Sequence, residues 1–339
     1  MIHPFVSLRY DSFGDPREVL QLVNRAPASL DQDEVLVRML ASPINPSDLI
    51  PIRGAYKHRI HLPAIPGYEG VGVVEEVGSP NHVSLLGRRV LPLRGEGTWQ
   101  AYVTTKAQYA IPVPDSVDDE TASQMYINPV TTWVICSDEL KLTHEDVLLV
   151  NACGSAIGRL FAQFARLIGF KLIAIVRNSA HAEELHSLGA WQVLDSSQGS
   201  IRDRVMEITS GVGATAGIDS IGGADAEDLM NCIRPGGTVL SIGLLSGISI
   251  DWMNVNRQLP SINVKPYWLK RWMQEASHAQ WHSTFEHLFH LLMNNQIKIQ
   301  QARGRFELDE YHAAISAAEQ RGQKGKVLLL PSMSNDRRV

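Results

Sequence analysis

Residues 42 to 74 carry the side chains of this sequence that are best suited to chemistry on a small molecule. Asp48 and Glu69 are the plausible metal ligands of this segment, and they stand in well-separated loops. A catalytic zinc takes three protein ligands from cysteine, histidine or carboxylates, so two carboxylates do not make a zinc site and we predict no metal. Tyr56, in a glycine-containing loop, can instead donate a proton or a hydrogen bond at neutral pH without a metal.

The polar residues of this segment each have a structural alternative. Tyr56 either donates to the reacting atoms or packs over a cleft without taking part in chemistry. Asn45 and Asp48, which flank a Pro-Ser pair, either hold the loop and approach the reacting atoms or stabilise a turn through bonds to their own backbone. Both alternatives stay open at the level of the sequence.

A basic cluster surrounds Tyr56 and suggests a substrate that carries phosphate. Arginine and lysine bind phosphate through charge-assisted hydrogen bonds, and coenzyme A or phosphopantetheine would present such groups. The alternative is a solvated loop with scattered charges. The candidate substrate-binding residues are Arg53, Lys57 and Arg59, with His58 and His61 beside them, and Lys270 and Arg271 from the second half of the chain.

Residues 146 to 168 have the order of a strand, a turn of small residues and an amphipathic helix. The helix places an apolar stripe on one side, with Arg159, Gln163 and Arg166 opposite. A dinucleotide passes its pyrophosphate to a helix N-terminus at such a turn, and the alternative is an ordinary tight turn that binds nothing. The candidate cofactor-binding residues of the turn are Asn151, Gly154, Ser155, Ala156 and Ile157.

The next predicted strand, residues 171 to 176, ends without an acidic residue. A fold that is specific for NAD usually has an acidic residue there to accept the ribose hydroxyl. Arg177 and Ser179 can instead bind the 2′-phosphate of NADPH, because a guanidinium pairs with phosphate through two hydrogen bonds. The sequence therefore favours NADPH, and the alternative is a solvated arginine at the start of a helix.

Composition limits the class of protein. The chain has 339 residues, of which 44% are hydrophobic and 20% charged, as in a globular protein of two domains. A net charge of −5 argues against nucleic-acid binding, because no global basic field exists. Three isolated cysteines favour a reducing compartment. With no signal peptide or membrane span in the pattern, we expect a cytoplasmic protein that does not bind membranes.

Hydrophobic periodicity predicts an α/β fold. Alternating apolar residues over 34–40, 71–77 and 87–103 are typical of an irregular β-barrel. Strands then alternate with helices to about residue 270, which predicts a doubly wound parallel sheet. We therefore predict a catalytic domain from residues 1–122 and 271–339 and a cofactor-binding domain from residues 123–270. Later strands are expected at 192–195, 215–220, 238–243, 263–268 and 326–330, and late helices at 281–292 and 309–320.

Eight motifs, in order along nearly the whole chain, resemble the zinc-independent branch of the medium-chain dehydrogenase/reductase superfamily. Within that branch the chain is most similar to the mitochondrial-type 2-enoyl thioester reductases, and next to the quinone oxidoreductases. It departs from those reductases at Gly154, where they commonly have asparagine, and in its more basic loop around Tyr56. The motifs lie at residues 44–48, 54–56, 66–72, 128–132, 151–158, 219–223, 267–272 and 325–330.

The resemblance implies a GroES-like irregular barrel built from both chain ends, a central Rossmann domain, NADPH in the cleft and a homodimer. It also implies the catalytic role for Tyr56, because the tyrosine of the matching loop is the catalytic one in the enoyl reductases. Further cofactor-binding positions that it implies are Asn128, Thr131, Gly243, Tyr267, Trp268 and Lys326.

Together these features predict an NADPH-dependent reductase of activated carbon–carbon double bonds. Its substrate would be a 2-enoyl thioester, with Tyr56 as donor to the oxygen on which negative charge develops. Two alternatives stay open: a quinone or alkenal oxidoreductase, and a protein that binds NADPH without turnover.

Overall fold

The computed structural model describes residues 4–26, 28–55, 57–320 and 322–331. The chain forms two compact units, each of which is described by itself. Unit 1 consists of Met1–Ile127, His278–Met293 and Ile299–Val339, and unit 2 of Asn128–Ser277 and Asn294–Lys298. The assignment of catalytic and cofactor-binding roles to domains that meet near residues 122 and 270 stays a prediction.

Strands and helices alternate through much of the described part of the chain. The strands are β1 Phe5–Tyr10, β2 Leu20–Arg25, β3 Glu34–Pro43, β4 Val71–Val77, β5 Arg89–Pro92, β6 Tyr102–Lys106, β7 Ala110–Pro112, β8 Val147–Val150, β9 Lys171–Val176, β10 Gln192–Asp195, β11 Ala214–Asp219, β12 Ile233–Ser241, β13 Asn263–Pro266, β14 Gly304–Glu307 and β15 Val327–Leu330.

The α-helices are α1 Pro16–Val19, α2 Pro46–Ile52, α3 Asp119–Ala122, α4 Ile127–Val134, α5 Ala156–Ile168, α6 Ala182–Leu188, α7 Ile201–Ile208, α8 Gly223–Met230, α9 Trp252–Gln258, α10 Leu269–Glu275, α11 His278–Met293 and α12 Tyr311–Glu319. A π-helical turn, Ile135–Glu139, follows α4, and short 3-10 helices lie at Lys57–Arg59 and Ser179–His181.

Unit 2 is built on a six-stranded sheet with the order β10-β9-β8-β11-β12-β13, in which every pairing is parallel. The strands β8 and β9 read as near-continuous apolar runs, as expected when both faces of a parallel sheet are covered. The order reverses between β8 and β11, and open parallel sheets bind ligands at the carboxyl ends of the strands at such a point. The predicted doubly wound parallel sheet is confirmed.

Helix α5 covers one face of this sheet and has a well-defined beginning and end. Ser155 is its N-cap, and Gly169 ends it in the left-handed conformation with φ 97°. Of the residues predicted opposite the apolar stripe, Arg159 and Gln163 are buried and Arg166 is exposed. Gln163 bonds to the backbone of Lys298, with its Oε1 2.6 Å from the amide nitrogen, so the helix has polar contacts on its second face.

Unit 1 is built on a mainly antiparallel seven-stranded sheet with the order β14-β15-β3-β4-β5-β7, in which β6 also pairs with β3. Strand β3 is the centre of the sheet, since it pairs with β4, β6 and β15. Strands β1 and β2 form a separate two-stranded antiparallel sheet. The late strand β15 therefore lies in the same sheet as strands from the first third of the chain.

The hydrophobic cores belong to the separate units. In unit 1 one core contains Trp99, which is fully buried. In unit 2 one core contains Leu149 and further residues of β9 and β12. In the part of the chain that the structure describes, no helix combines the length and the apolar character needed to cross a bilayer.

Candidate active site

Helix α2 fixes the position of the first polar cluster in unit 1. Asn45 is the residue before the helix, Pro46 opens it, and Asp48 lies at its third position. The Asn45 backbone N–H donates to Asp48 Oδ2 at 2.7 Å, which is the backbone half of a capping box. The turn-stabilising role that the sequence left open for Asp48 is therefore present, and it occupies one of the two carboxylate oxygens.

Glu69 is the centre of this cluster. It is fully buried, and its Oε1 accepts from Asn45 Nδ2 at 2.9 Å and from Lys326 Nζ at 2.7 Å. Its Oε2 accepts from the backbone N–H groups of Tyr126 and Ile127, at 3.3 and 2.8 Å. The carboxylate thus ties α2, the last strand and the start of α4 together. Sequence reasoning considered Glu69 only as a weak metal ligand and missed this role.

Asp48 has an unusual electrostatic environment. Its side chain is 2% exposed, and its Oδ1 has no hydrogen-bond partner among the described residues. The pKa of Asp48 is raised from 3.8 to about 7, first by burial and then by the nearby Glu69 carboxylate. Asp48 is therefore present in both protonated and charged forms near neutral pH.

The donor set of unit 1 does not fit a catalytic zinc ion. Glu69 already accepts four hydrogen bonds from protein groups. Within the ranges that the structure describes, no group of three or more histidine, cysteine, aspartate or glutamate side chains is placed to hold a metal ion. A zinc site needs three such ligands and an open position, so we derive no chemistry through a metal.

Tyr56 lies outside the described residues, and its proposed catalytic role stays a prediction. The loop that leads to it follows α2 directly, and Gly54 there has φ 94°, a conformation that favours glycine. Arg53, at the end of α2, forms an ion pair with Glu319. Lys57 and Arg59 lie in the 3-10 helix Lys57–Arg59 with exposed side chains, and Arg59 donates to His58 Nε2 at 3.0 Å.

The second cluster lies at the carboxyl ends of β8 and β11 in unit 2. The small residues of the turn are needed for close packing, since a Cβ on Gly158 would lie 2.5 Å from Cys153 Cα. Ser155 Oγ accepts from the Gly158 N–H at 3.3 Å. Gly154, Ala156 and Ile157 complete the turn and the first residues of α5, the arrangement that offers backbone N–H groups to phosphate.

Asn151 is held by a carboxylate that the sequence analysis missed. Asp219 is fully buried at the end of β11, and its Oδ1 accepts from Asn151 Nδ2 at 2.6 Å and from the Ile221 N–H at 3.0 Å. In return, Asn151 Oδ1 accepts from the Ser220 N–H at 2.8 Å. The pair locks the two strand ends at the point where the sheet order reverses. Its signal was the Asp219-Ser220 step that ends a predicted strand.

The end of β9 has the composition expected of an NADPH site. Arg177 and Ser179 follow the strand directly, and both side chains are exposed. Ser179 begins the short 3-10 helix Ser179–His181, which leads into α6. Asn178 precedes it and accepts from the Ala180 N–H at 3.2 Å. No acidic side chain stands at the strand end itself, so the residues present fit a 2′-phosphate.

The other predicted cofactor positions have different environments. In α4, Thr131 is buried, and Asn128 accepts from Thr132 through its backbone oxygen. Tyr267, just after β13, has a buried hydroxyl without a hydrogen-bond partner among the described residues, and burial raises its pKa. Such an orphaned group fits a site whose ligand supplies the partner.

Four further predicted positions lie in unit 2, two for the cofactor (Gly243 and Trp268) and two for the substrate (Lys270 and Arg271). A Cβ on Gly243 would lie 2.8 Å from the Ser220 carbonyl oxygen, so the glycine permits close packing of two strand ends. Trp268 is 42% exposed. Lys270 and Arg271 lie in α10, and Arg271 pairs with Glu275 one helical turn later.

Unit 1 is a mainly antiparallel sheet with a buried carboxylate and lysine, and unit 2 is a parallel sheet with the strand order of a dinucleotide fold. This combination defines the class of two-domain α/β dehydrogenases and reductases. Residues 31–115 match a family model described as an alcohol dehydrogenase GroES-like domain, and residues 156–289 match one described as a zinc-binding dehydrogenase. The GroES-like domain and the Rossmann-like sheet of the predicted fold class are confirmed.

Three known proteins show how far the likeness extends. A mitochondrial enoyl-acyl-carrier-protein reductase of Arabidopsis thaliana is 29% identical over 94% of this chain and 86% of that protein. A solved structure titled as a putative NADPH:quinone reductase of Bacillus thuringiensis is 49% identical, with a TM-score of 0.94 over 98% of this chain and all of that one. The quinone oxidoreductase of Escherichia coli complexed with NADPH is 25% identical, with a TM-score of 0.87 over 96% of this chain and all of that one.

The chain belongs to the medium-chain dehydrogenase/reductase superfamily, and it is an oxidoreductase. The predicted likeness to both enoyl reductases and quinone oxidoreductases is confirmed.

Proposed function

We propose that this protein is an NADPH-dependent reductase of activated carbon–carbon double bonds, acting on 2-enoyl thioesters. The observation that carries the proposal is the carboxyl edge of the parallel sheet. There, Asn151 and Asp219 hold together the ends of β8 and β11, between which the strand order reverses, and Arg177 directly follows β9. This is the arrangement of side chains and backbone N–H groups that a phosphorylated dinucleotide requires.

The residues that would hold NADPH divide by the part of the cofactor that they suit. The turn at Gly154 and Ser155 suits the pyrophosphate, and Arg177 with Ser179 suits the 2′-phosphate. The remaining candidates are Asn128, Thr131, Asn151, Ala156, Ile157, Gly243, Tyr267, Trp268 and Lys326. Among them, Lys326 acts through Glu69, with which it is paired.

When bound, the nicotinamide supplies a hydride to the β-carbon of the substrate, and the α-carbon takes a proton. Negative charge develops on the thioester carbonyl oxygen during this step, and a donor aimed at that oxygen lowers the barrier. Tyr56 is our candidate donor, because a phenol keeps its proton at neutral pH. The buried cluster of Asn45, Asp48 and Glu69 holds the helix from which the Tyr56 loop starts.

The proposed substrate class rests on the relatives and on the basic loop. The Arabidopsis relative is named for an acyl-carrier-protein substrate. Lys57 and Arg59 have exposed side chains, which can meet the phosphates of coenzyme A or phosphopantetheine. Arg53 forms an ion pair with Glu319. Lys270 and Arg271 are the further candidates. We propose a homodimer that binds neither nucleic acid nor membranes.

A quinone or alkenal oxidoreductase is the second candidate function. The structure with 49% identity is titled as a putative NADPH:quinone reductase, which favours this alternative directly. Such an enzyme needs neither a phosphate-binding loop nor an obligatory phenol donor. A cytoplasmic location stays a prediction, because the Arabidopsis relative is named as mitochondrial.

One assay separates these functions. NADPH consumption is measured with crotonyl-CoA, a soluble quinone and an alkenal at equal concentrations. We expect the highest kcat/KM with crotonyl-CoA. A clear preference for the quinone would establish the alternative, and tight NADPH binding without turnover of any of the three would indicate a non-catalytic protein.

A further inference from the structure

His181 lies directly against the turn that the cofactor phosphates would meet. A Cβ on Gly154 would be 2.9 Å from His181 Cδ2, 3.6 Å from its Nε2 and 3.7 Å from its Cγ. The space that a larger residue at position 154 would fill is therefore occupied by the imidazole. The absence of a side chain at Gly154 leaves room for the imidazole of His181, which lies far from it in the sequence.

A buried arginine orients this imidazole. Arg159, in the first turns of α5, has a side chain that is 3% exposed, and its Nη2 is 3.4 Å from His181 Nδ1. A guanidinium has only donors, so Nδ1 accepts and the neutral imidazole carries its proton on Nε2. The ring edge that faces Gly154 therefore includes an N–H donor.

The charge of Arg159 is balanced within the same group of residues. Glu184 in α6 accepts from Arg159 Nε at 3.1 Å and from Nη2 at 3.0 Å. This bidentate pair fixes the plane of the guanidinium group. It also explains why a buried charged residue is tolerated in α5. The carboxylate of Glu184 thus faces Arg159. His181 contacts Arg159 on one side and the turn at Gly154 on the other.

The position of His181 in the chain indicates which phosphate of the dinucleotide, the pyrophosphate or the 2′-phosphate, it would contact. It ends the 3-10 helix Ser179–His181, two residues after Ser179 and four after Arg177. These residues follow β9, the strand beside which the adenosine ribose lies in a fold with this strand order. The imidazole thus stands between the pyrophosphate turn and the 2′-phosphate candidates.

We propose that His181 is a specificity-determining residue that donates from Nε2 to the 2′-phosphate of NADPH. Arg159 is its positioning residue, and Gly154 provides the space. The inference rests on the proposed NADPH dependence, which it deepens by assigning a third ligand beside Arg177 and Ser179. It also gives a physical reason for glycine at position 154.

The test is a titration of the full chain with NADPH and with NADH, followed by tryptophan or nucleotide fluorescence. His181→Ala is expected to weaken NADPH binding by about tenfold to a hundredfold, the value of a hydrogen bond to a charged group, with NADH affinity changed by less than about twofold. His181→Gln, whose amide can still donate, should fall between wild type and His181→Ala. The matched control is His144→Ala, an exposed histidine before the amino end of β8.

The outcomes separate the inference from the proposed function. If wild type binds NADPH tightly and His181→Ala binds it equally well, the role of His181 is overturned and the function stands. Equal weakening of NADPH and NADH would also overturn that role, because it would indicate a distorted turn. If wild type binds neither nucleotide, the proposed function fails and the inference fails with it.

A double-mutant cycle tests the contact between Gly154 and the imidazole. Gly154→Ala should displace His181 and lower the ratio of NADPH to NADH affinity, whereas the same substitution in the His181→Ala background should leave that ratio unchanged. Arg159→Lys should lower the ratio with little effect on NADH, because it removes the fork that orients Nδ1. An equal drop in the ratio in both backgrounds would contradict the proposed arrangement.

Discussion

At the scale of single residues, unit 1 contains two buried carboxylates, Glu69 and Asp48, whose charges are balanced to different degrees. Glu69 has Lys326, Asn45 and two backbone N–H groups as donors, whereas Asp48 Oδ1 has no partner among the described residues. Burial therefore acts on Asp48, and its pKa is raised to about 7. The sequence identified Asp48 and Asn45 as candidates, but it could not show that Lys326, near the other end of the chain, neutralises Glu69.

The first prediction concerns the stability of Asp48→Asn. Because the folded-state pKa of Asp48 lies above its usual 3.8, its contribution to stability is present below pH 3.8 and is lost as the pH rises towards about 7. The amide keeps an acceptor for the Asn45 N–H but does not ionise. We expect the variant to gain on the order of 1 kcal/mol or more relative to wild type between pH 4.5 and pH 8. Urea unfolding at both pH values measures this, and an equal difference at the two would refute it.

At the scale of elements, the sequence predicted the parallel sheet well and the polar contacts of its helices poorly. The bounds of β9 and β10 agree with the prediction, because uninterrupted apolar runs between turn residues mark buried strands. The burial of Arg159 and Gln163 was not predicted, since the pattern of one helix does not reveal Glu184 or the 294–298 segment that packs against it. The β1–β2 hairpin and β14 were not predicted.

The second prediction concerns the N-cap of α5. Ser155→Ala removes the acceptor for the Gly158 N–H and should cost about 1 kcal/mol of unfolding free energy. It should also weaken NADPH binding, because the N–H groups of this turn are proposed phosphate donors. Ser200→Ala is the matched control, since Ser200 caps α7 through the Asp203 N–H. We expect similar losses of stability but reduced NADPH affinity for Ser155→Ala only; the same affinity in both variants would remove the turn from the cofactor site.

At the scale of the whole molecule, a net charge of −5 contrasts with the basic loop around Tyr56. Lys57 and Arg59 are exposed positive charges in a protein whose net charge is negative. Salt screens such exposed charges most strongly. The order of the eight motifs revealed the superfamily from the sequence, because each motif marks a turn or strand end that the fold requires. Substrate identity did not follow, since it depends on residues that are distant in the sequence.

The third prediction is the salt dependence of substrate binding. If Lys57 and Arg59 bind the phosphates of an acyl-CoA, its KM should rise severalfold between 20 and 500 mM salt, because the Debye length falls from about 20 Å to about 4 Å. The KM of an uncharged alkenal serves as the control and should change little. A KM for crotonyl-CoA that does not respond to salt would exclude the phosphate-binding role.

The central claim is that the hydroxyl of Tyr56 performs the electrophilic role, and the turnover of Tyr56→Phe with crotonyl-CoA and NADPH tests it most directly. Loss of a donor to the developing oxyanion should lower kcat by about 10²–10³, while the Kd of NADPH, measured in parallel, stays within about twofold. Equal turnover of wild type and Tyr56→Phe, with normal NADPH binding in both, would contradict the account.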